Sequence, residues 1–331
     1  MKSSGIGLAT IVTGGSGLVG SHVVEELVRE GEEVIIYDVL PPRKTEVVAQ
    51  LGGKVTYVDG NILDVGKLLE TIKKYDARGI IHTTGIINYK QIVANPMYGV
   101  MVNFNGTLNV LELARLHDLK VVFTSSGSVY GKVNEFAKED FPLRPGDVYG
   151  ATKAMCEILG EQYANTYGVD YVATRLYFIY GPGLSLVARS VEETFTPPVQ
   201  PLSVLSLMIQ KGVKREKLNI QCGGDTKLDF TYVKDSAHGV VLAYHIKKPP
   251  HRAYNISTGR AYSLSEVAAA INRYVGLECI VIGPGTVEGW PPRPKYLDIS
   301  LAKTELGYEP LYGLDRGINE FCEHVLKTLQ T

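Results

Sequence analysis

Short runs of apolar and β-branched residues alternate with longer segments of helical period over the first 180 residues. This alternation is typical of a parallel sheet with helices on both faces, because buried parallel strands are apolar throughout while crossover helices are amphipathic. The predicted strands are Leu8–Thr13, Glu33–Asp38, Lys54–Val58, Gly79–His82, Val121–Thr124 and Tyr171–Arg175. The predicted helices are Gly17–Glu30, Asp64–Lys74, Pro96–His117 and Tyr149–Tyr167. The pattern predicts an α/β fold with a doubly wound parallel sheet.

The pattern changes after Tyr180, where a Gly-Pro-Gly sequence opens a stretch rich in proline and apolar residues. Helices are predicted beyond it, separated by short strands and turns: Val204–Lys211, Ser263–Val275 and Leu314–Leu329. We therefore predict a first domain over residues 1–180, to which 229–258 returns. Residues 181–228 and 259–331 form a smaller, mixed α/β, C-terminal substrate-binding domain.

Composition narrows the classes of function. The 331 residues carry a formal net charge of −1, so the surface offers no electrostatic attraction for nucleic acid or an anionic membrane. The sequence has neither a signal peptide nor an apolar run of membrane-spanning length, which predicts a cytoplasmic protein. The four cysteines are far apart and form no ligand cluster, so no metal site is expected. After these exclusions, the expected function is chemistry on a small molecule.

A glycine-rich turn joins the first predicted strand to the first predicted helix. Gly14 permits the tight turn, Gly17 lets the backbone approach a pyrophosphate, and Gly20 lets the helix pack on the strand. Leu18 and Val19 lie between the last two glycines, in the first helical turn, whose free N–H groups face the phosphates. The turn predicts a dinucleotide site and a sheet of the Rossmann type.

An acidic residue defines the expected cofactor. Asp38 ends the next predicted strand, eighteen residues after Gly20. Its carboxylate can accept hydrogen bonds from both ribose hydroxyls and would repel a 2′-phosphate, so NAD is predicted rather than NADP. Arg43 and Lys44 lie nearby, either as solvated loop charges or as ligands for a 2′-phosphate.

Tyr149 and Lys153 are four residues apart on a predicted helix, which places the phenol and the ammonium on one face. Holding a phenolate near neutral pH requires lowering the tyrosine pKa by about three units, or roughly 4 kcal/mol. We expect Lys153 and the cationic nicotinamide ring to supply this. Spacing alone favours an exposed amphipathic pair, but Ser126, at the end of the preceding strand and at the ligand-binding edge of the sheet, favours the catalytic interpretation. The three residues predict proton transfer to a substrate oxygen.

Together these motifs resemble the extended short-chain dehydrogenase/reductases, which include nucleotide-sugar epimerases, dehydratases and reductases. Further segments match that family in its order along the chain: Asn103–Thr107, Asp229–Asp235 and Asp298–Tyr308. The resemblance implies that Tyr149 is the general acid/base and that Ser126 hydrogen-bonds the reacting oxygen. It also implies that Lys153 holds the nicotinamide ribose.

The resemblance extends the cofactor site. Asn61 stands where the family usually has an aspartate facing the adenine amino group, and an amide oxygen can accept the same hydrogen bond. The other positions predicted in the NAD site are Ile62, Thr83, Thr84, Gly85 and Asn103, together with the catalytic residues Tyr149 and Lys153.

Departures from the family fall where substrate is expected to bind. Phe178 and Leu228 occupy positions at which nucleotide-sugar enzymes commonly carry an Asn and an Arg on the diphosphate. Burying a diphosphate without charged partners is costly. Arg293 is the best candidate to compensate, or else it is a surface-loop residue. Gly127 and Ser128 replace the acidic pair of the sugar dehydratases, which disfavours water elimination. Ser126, Ser128, Phe178, Leu228 and Arg293 are the predicted substrate contacts.

These observations predict an NAD-dependent oxidoreductase that transfers a hydride reversibly at a secondary alcohol of a hydroxylated, sugar-like small molecule. The alternatives are an NAD-dependent nucleotide-sugar 4-epimerase and a non-catalytic NAD-sensing regulator, against which the intact Tyr149/Lys153 pair argues. Residues 184–205 are predicted to form a lid, a dimer contact or packing for the second domain. By analogy with the family, helices Pro96–His117 and Tyr149–Tyr167 are expected to form a homodimer interface.

Overall fold

A computed structural model describes residues 8–42, 54–87, 89–184, 201–287 and 293–330. Arg43, Lys44 and most of the 184–205 segment lie outside the described residues. The strands are β1 Thr10–Thr13, β2 Val34–Asp38, β3 Val55–Asp59, β4 Gly79–His82, β5 Lys120–Ser126, β6 Phe136–Ala137, β7 Tyr171–Leu176, β8 Ile179–Tyr180, β9 Leu218–Ile220, β10 Lys227–Leu228, β11 Thr231–Tyr232, β12 Ala253–Ile256, β13 Tyr262–Ser263, β14 Ile280–Ile282 and β15 Tyr296–Leu297.

The main sheet has seven parallel strands in the order β3-β2-β1-β4-β5-β7-β12. The strand order reverses between β1 and β4, which is the switch point at which such sheets bind dinucleotides. The predicted Rossmann-type, doubly wound class is therefore confirmed. All six predicted strands belong to this sheet, and β12 is the seventh.

The helices of the described residues are α1 Leu18–Arg29, α2 Val65–Lys74, α3 Tyr89–Ala94, α4 Pro96–Val100, α5 Gly106–His117, α6 Val148–Tyr167, α7 Pro201–Val213, α8 Val233–His245, α9 Leu264–Val275, α10 Ser300–Leu306 and α11 Leu314–Gln330. A π-helical segment, Met101–Asn105, joins α4 to α5, and a 3₁₀ turn, Gly127–Tyr130, follows β5. The predicted single helix 96–117 is thus interrupted. Asn95 caps its start, where its side chain accepts from the backbone N–H of Tyr98 at 3.1 Å.

Two apolar cores cover the two faces of the main sheet. Successive strand residues point to opposite faces, so Ile11 of β1 packs against the core beside α2, α5 and α6, while Val12 packs against the core beside α1 and α8. This double burial explains why the strands are apolar without alternation. No helix among the described residues combines the length and the apolar character needed to cross a membrane.

A third core lies in the C-terminal half, among α7, α9 and α11, and includes Met208, Ile271 and Phe321. Within 229–258, α8 packs on α1 and β12 pairs with β7. One segment differs from the predicted division: Ala302 and Tyr308 pack on the main-sheet core, although the sequence pattern assigned all of 259–331 to the second domain. The reason is that α10 contacts β12 and α8. The domain bounds themselves stay a prediction.

Candidate active site

The glycine-rich turn lies at the carboxyl end of β1, where backbone takes the place of side chains. Gly14 has φ +69°, and a Cβ atom there would come within 2.7 Å of the backbone nitrogen of Thr84. A Cβ on Gly17 would lie 3.1 Å from the Gly14 carbonyl oxygen, and one on Gly20 would collide with that oxygen. The turn therefore brings bare backbone to the start of α1, which fits a pyrophosphate at the helix N-terminus.

Asp38 ends β2 beside this turn. Its Oδ2 accepts from the backbone N–H of Ser16 at 3.0 Å, and its Oδ1 accepts from that of Leu40 at 3.1 Å. A carboxylate has about four lone-pair sites, so both oxygens keep capacity for a further donor. The fixed carboxylate fits a ribose diol, as predicted from the sequence.

Two residues of the predicted NAD site follow β3: Asn61, predicted at the adenine, and Ile62. Asn61 is exposed, and its Oδ1 accepts from the backbone N–H of Leu63 at 3.0 Å. Ile62 is buried, and a Cβ on Gly106 would come within 2.8 Å of its side chain. Ile62 thus supports the start of α5 from the core, whereas Asn61 is accessible. Their contact with NAD stays a prediction.

The segment after β4 connects the turn to the catalytic helix. Thr83 Oγ1 donates to the carbonyl oxygens of Thr13 and Gly14 at 2.8 and 3.1 Å. The buried Asn103 side chain accepts from the backbone N–H of Ile86 at 2.7 Å and donates to its carbonyl at 3.1 Å. The Gly85 backbone passes so close to Asn103 that a Cβ there would lie 3.3 Å from Oδ1. The predicted segment 83–85 and Asn103 are therefore brought together.

Lys153 lies in the second turn of α6 and is almost completely buried. Its Nζ donates to the carbonyl oxygen of Thr124 at 2.7 Å and lies 4.6 Å from the centre of the Phe123 ring. Burial lowers the pKa of this ammonium to about 8, opposed by the negative charges of Cys156 and Glu157 when these are ionised. The lysine therefore stays protonated at neutral pH but loses its proton more readily than a solvated lysine.

Tyr149 opens α6 one turn before Lys153. Burial raises the pKa of its phenol to about 12, while a hydrogen bond with Ser126 and the charge of Arg293 lower it and Asp147 raises it further. The expectation that Lys153 lowers this pKa is not met in the chain alone. The Lys153 Nζ lies 6.0 Å from the centre of the phenol ring and is not among the groups that shift the tyrosine pKa. Desolvation outweighs the neighbouring charges.

Ser126 is the last residue of β5, and its Oγ accepts from the backbone N–H of Ser128 at 3.1 Å. The hydroxyl proton of Ser126 is not used in that bond, so it is available to the phenol or to a substrate oxygen. Asp147 caps α6 by accepting from the backbone N–H of Gly150 at 2.7 Å. The end of β5 and the N-cap of α6 together place Ser126 and Tyr149 at the same edge of the sheet.

One cavity of about 310 Å³ is lined by the three predicted catalytic residues and by part of the predicted cofactor and substrate sites. Its walls include the glycine turn with Leu18 and Val19, then Thr83 and Gly85, and the catalytic set of Ser126, Tyr149 and Lys153. Ser128, Phe178 and Arg293 form the side toward the second domain. The glycine turn and the catalytic residues therefore line one continuous space.

Arg293 is held inside this cavity and is not a solvated loop residue. Its guanidinium lies 3.3 Å from Ser128 Oγ and 3.3 Å from the Asp147 carboxylate, and 5.8 Å from the centre of the Phe178 ring. Phe178 has a positive φ of +34°, an unfavourable value for a bulky side chain that the surrounding packing maintains. Leu228 differs from its prediction: it is buried in the third core and does not line the cavity.

Two residues that position Arg293 were missed in the sequence. Tyr177 donates its hydroxyl proton to the carbonyl of Pro294 at 2.5 Å, and Asp147 provides the ion pair. An aspartate two residues before Tyr149 is a helix N-cap signal that could have identified Asp147. No local signal marks Tyr177, because its partner is 117 residues away.

Comparison with known proteins identifies the family of the chain. The model of the NAD dependent epimerase/dehydratase family matches residues 10–257, and the chain belongs to that family. A putative UDP-glucose 4-epimerase of Methanocaldococcus jannaschii is 33% identical over 93% of this chain and 95% of its own length. The protein is therefore an NAD-dependent enzyme of the epimerase/dehydratase type.

Solved structures show the same fold over nearly the whole chain. The UDP-glucose 4-epimerase of Thermotoga maritima, solved with UDP-glucose, superposes with a TM-score of 0.82 at 25% identity, covering 97% of this chain and 100% of that one. The UDP-glucose 4-epimerase of Thermus thermophilus, solved with NAD, gives a TM-score of 0.77 at 27% identity, covering 96% and 98%.

Proposed function

We propose that this protein is an NAD-dependent nucleotide-sugar 4-epimerase, which inverts a secondary alcohol by oxidising it and reducing it again in the same site. The observation that carries the proposal is the position of Arg293. Its guanidinium lies in the same cavity as Tyr149 and the glycine turn, where it offers a charged partner for a phosphate group. The relatives named as UDP-glucose 4-epimerases support this proposal.

In the proposed reaction, Ser126 hydrogen-bonds the reacting hydroxyl, and Tyr149 in its ionised, phenolate form takes the proton of that hydroxyl while the carbon–hydrogen bond is broken. NAD bound along the glycine turn supplies the hydride acceptor and later the hydride donor. After the ketone has rotated and presents its other face to the hydride donor, Tyr149 returns the proton to the same oxygen, so protons and electrons balance. The buried Lys153 ammonium, fixed on the carbonyl of Thr124, adds positive charge to the site.

A second candidate is favoured by the apolar side of the cavity. Phe178 stands where nucleotide-sugar enzymes commonly carry an Asn, and Leu228, which replaces an Arg, is buried in the third core. Arg293 is also already paired with Asp147, so a diphosphate would compete with a carboxylate for it. These features suit an oxidoreductase that releases the ketone of a hydroxylated, sugar-like substrate.

The two candidates differ in the final location of the hydride, which returns to the sugar in an epimerase and stays on NADH in an oxidoreductase that releases the ketone. The purified protein is incubated with UDP-glucose and, separately, with UDP-N-acetylglucosamine, and the sugar products are separated by chromatography while NADH absorbance is followed. Appearance of the 4-epimer with no net NADH is expected. NADH that accumulates in proportion to free NAD, with a non-nucleotide polyol as substrate, would replace the proposal by the second candidate.

We further propose a homodimer through α4, α5 and α6, as expected from the sequence. Apolar side chains are exposed on α4, on the π-helical segment that follows it and on α6, namely Met97, Met101, Met155 and Ile158. Burial of these side chains against a second copy would favour a dimer. Ile158→Lys is expected to reduce the mass measured by light scattering to that of one chain. Leu277→Lys, an exposed leucine on the loop after α9, is the control and should leave the mass unchanged.

A further inference from the structure

His82 ends β4 with its side chain fully buried beneath the active site. Its Nδ1 lies 2.7 Å from the hydroxyl of Thr13, the residue before the glycine turn. Its Nε2 lies 3.1 Å from the hydroxyl of Thr107 in α5. The imidazole therefore bridges the strand that carries the cofactor turn and a helix on the far side of β4.

The direction of these hydrogen bonds follows from counting donors. The Thr107 hydroxyl donates its one proton to the carbonyl of Asn103 at 2.7 Å. It can only accept from His82, so Nε2 carries the proton. Burial, together with the charge of Lys153, lowers the pKa of His82 to about 3, so the ring is neutral and has no second N–H. Nδ1 must then accept from the Thr13 hydroxyl.

The chain of hydrogen bonds continues from Asn103 to the catalytic helix. The Asn103 amide donates to Thr152 Oγ1 at 3.0 Å, and Thr152 donates to the carbonyl of Tyr149 at 2.7 Å. Asn103 lies in the π-helical segment, a helix irregularity often found at functional sites. A directed path thus leads from Thr13 through His82, Thr107 and Asn103 to the first turn of α6.

A second path starts from the backbone of the same residue. The carbonyl of His82 accepts from Thr124 Oγ1 at 3.1 Å, and the carbonyl of Thr124 accepts from Lys153 Nζ at 2.7 Å. The Phe123 ring stacks on the imidazole with 5.9 Å between centroids, and Lys153 Nζ lies 4.6 Å from the centre of the same Phe123 ring. Because the charge of Lys153 acts on His82, a charged imidazole would repel the ammonium.

We propose that His82 is a positioning residue: as a neutral imidazole with its proton on Nε2, it couples the NAD-binding turn to the helix that carries Tyr149 and Lys153. An imidazole suits this task because it offers one donor and one acceptor at opposite ends of a rigid ring. The proposal concerns NAD binding and does not depend on which sugar is the substrate.

The tautomer is tested directly by NMR on protein labelled with ¹⁵N-histidine. The chain has seven histidines, and the His82 resonance is assigned as the one missing in His82→Gln. We expect the Nε2–H tautomer with shifts unchanged between about pH 5 and about pH 9, since a group with a strongly lowered pKa does not titrate there. A proton on Nδ1, or titration in this range, would overturn the proposal.

The coupling is tested by NAD affinity, measured by calorimetry on protein stripped of cofactor. His82→Leu is expected to raise the Kd for NAD about tenfold, the change that corresponds to losing roughly one hydrogen bond. His82→Gln keeps a donor and an acceptor and should stay within about threefold of the wild type. His238→Leu, which removes a histidine bound to Glu26 outside the cavity, is the matched control with unchanged affinity.

A double-mutant comparison excludes a general loss of stability. Thr107→Val should weaken NAD binding in the wild type and add nothing in His82→Leu, because both changes break the same path. Equal costs of Thr107→Val in the two backgrounds would overturn the proposal, as would unaltered NAD affinity in His82→Leu. Should His82→Leu not fold, Thr13→Val and Thr107→Val are compared alone and together, with non-additive costs expected.

Discussion

The carboxylate of Asp147 lies 3.3 Å from the guanidinium of Arg293 and also caps the helix that carries Tyr149. This ion pair fastens the segment before β15 onto the start of α6. Both side chains are only about one-fifth exposed, so the pair is better shielded than a surface ion pair. We therefore expect a change at Arg293 to affect the pKa of the Tyr149 phenol and, through the proposed phosphate contact, substrate binding.

Replacing Arg293 by Gln is expected to alter both KM and the pH profile. The arginine charge lowers the pKa of Tyr149, so its loss raises that pKa and moves the rise of kcat/KM for epimerisation to higher pH. Losing a charge-assisted hydrogen bond to a phosphate should raise KM about tenfold or more. Initial rates over a range of pH measure both effects.

Lys295→Gln is the control for this change, because Lys295 lies two residues away and forms an exposed ion pair with Glu135. Its kinetics should match the wild type. An unshifted profile in the Arg293 variant would show that its charge does not act on Tyr149.

Tyr149→Phe should reduce turnover by a factor on the order of 10² to 10⁴, the range attributed to general acid–base catalysis, and leave NAD binding nearly unchanged. The hydroxyl is the only group removed, and the cofactor turn is built from other elements. Single-turnover rates and NAD titration test the two parts. Tyr163→Phe, on the same helix with its hydroxyl bound to Glu112, is the matched control. Comparable losses in both variants would contradict a specific role for Tyr149.

Asp38→Asn is expected to narrow the preference for NAD over NADP. The carboxylate accepts hydrogen bonds and repels a 2′-phosphate, whereas an amide is uncharged and places a donor where one acceptor stood. The ratio of the Kd values for the two cofactors measures the effect. Asp59→Asn is the control, since Asp59 lies opposite Asp38 in the register of β2 and β3 but at an exposed position. A constant ratio in Asp38→Asn would remove this residue from cofactor selection.

Asp229 is expected to make stability depend on pH. Its carboxylate accepts from Thr258 and from the backbone N–H of Leu297, yet full burial raises its pKa to about 6. A folded-state pKa above the unfolded value of about 4 means that the folded chain binds the proton more tightly. The resulting stabilisation, on the order of 3 kcal/mol, is present below about pH 4 and is lost as the pH rises through about 6.

Urea unfolding of the wild type and of Asp229→Asn over that pH range isolates this contribution, because the other titrating groups are shared. The difference in the free energy of unfolding should change in favour of the asparagine variant as the pH rises. A difference independent of pH would mean that Asp229 does not titrate in this window.

Much of the fold and the cofactor site could be predicted from local sequence. Gly14, Gly17 and Gly20 mark the positions where backbone must replace side chains, and short segments rich in apolar and β-branched residues predict the strands that are buried on both faces. The break of helix 96–117 was not predictable in this way, since it depends on how Asn103 fits against the segment after β4.

The sequence by itself determined the class of the protein, because the turn, the acidic residue after β2 and the spacing of Tyr149 and Lys153 are constraints within a few residues of backbone. Only the tertiary structure decided that Arg293 enters the cavity, from 165 residues beyond Ser128, while Leu228 is buried elsewhere. It also decided that burial raises the pKa of Tyr149, since desolvation and long-range contacts depend on how the whole chain packs.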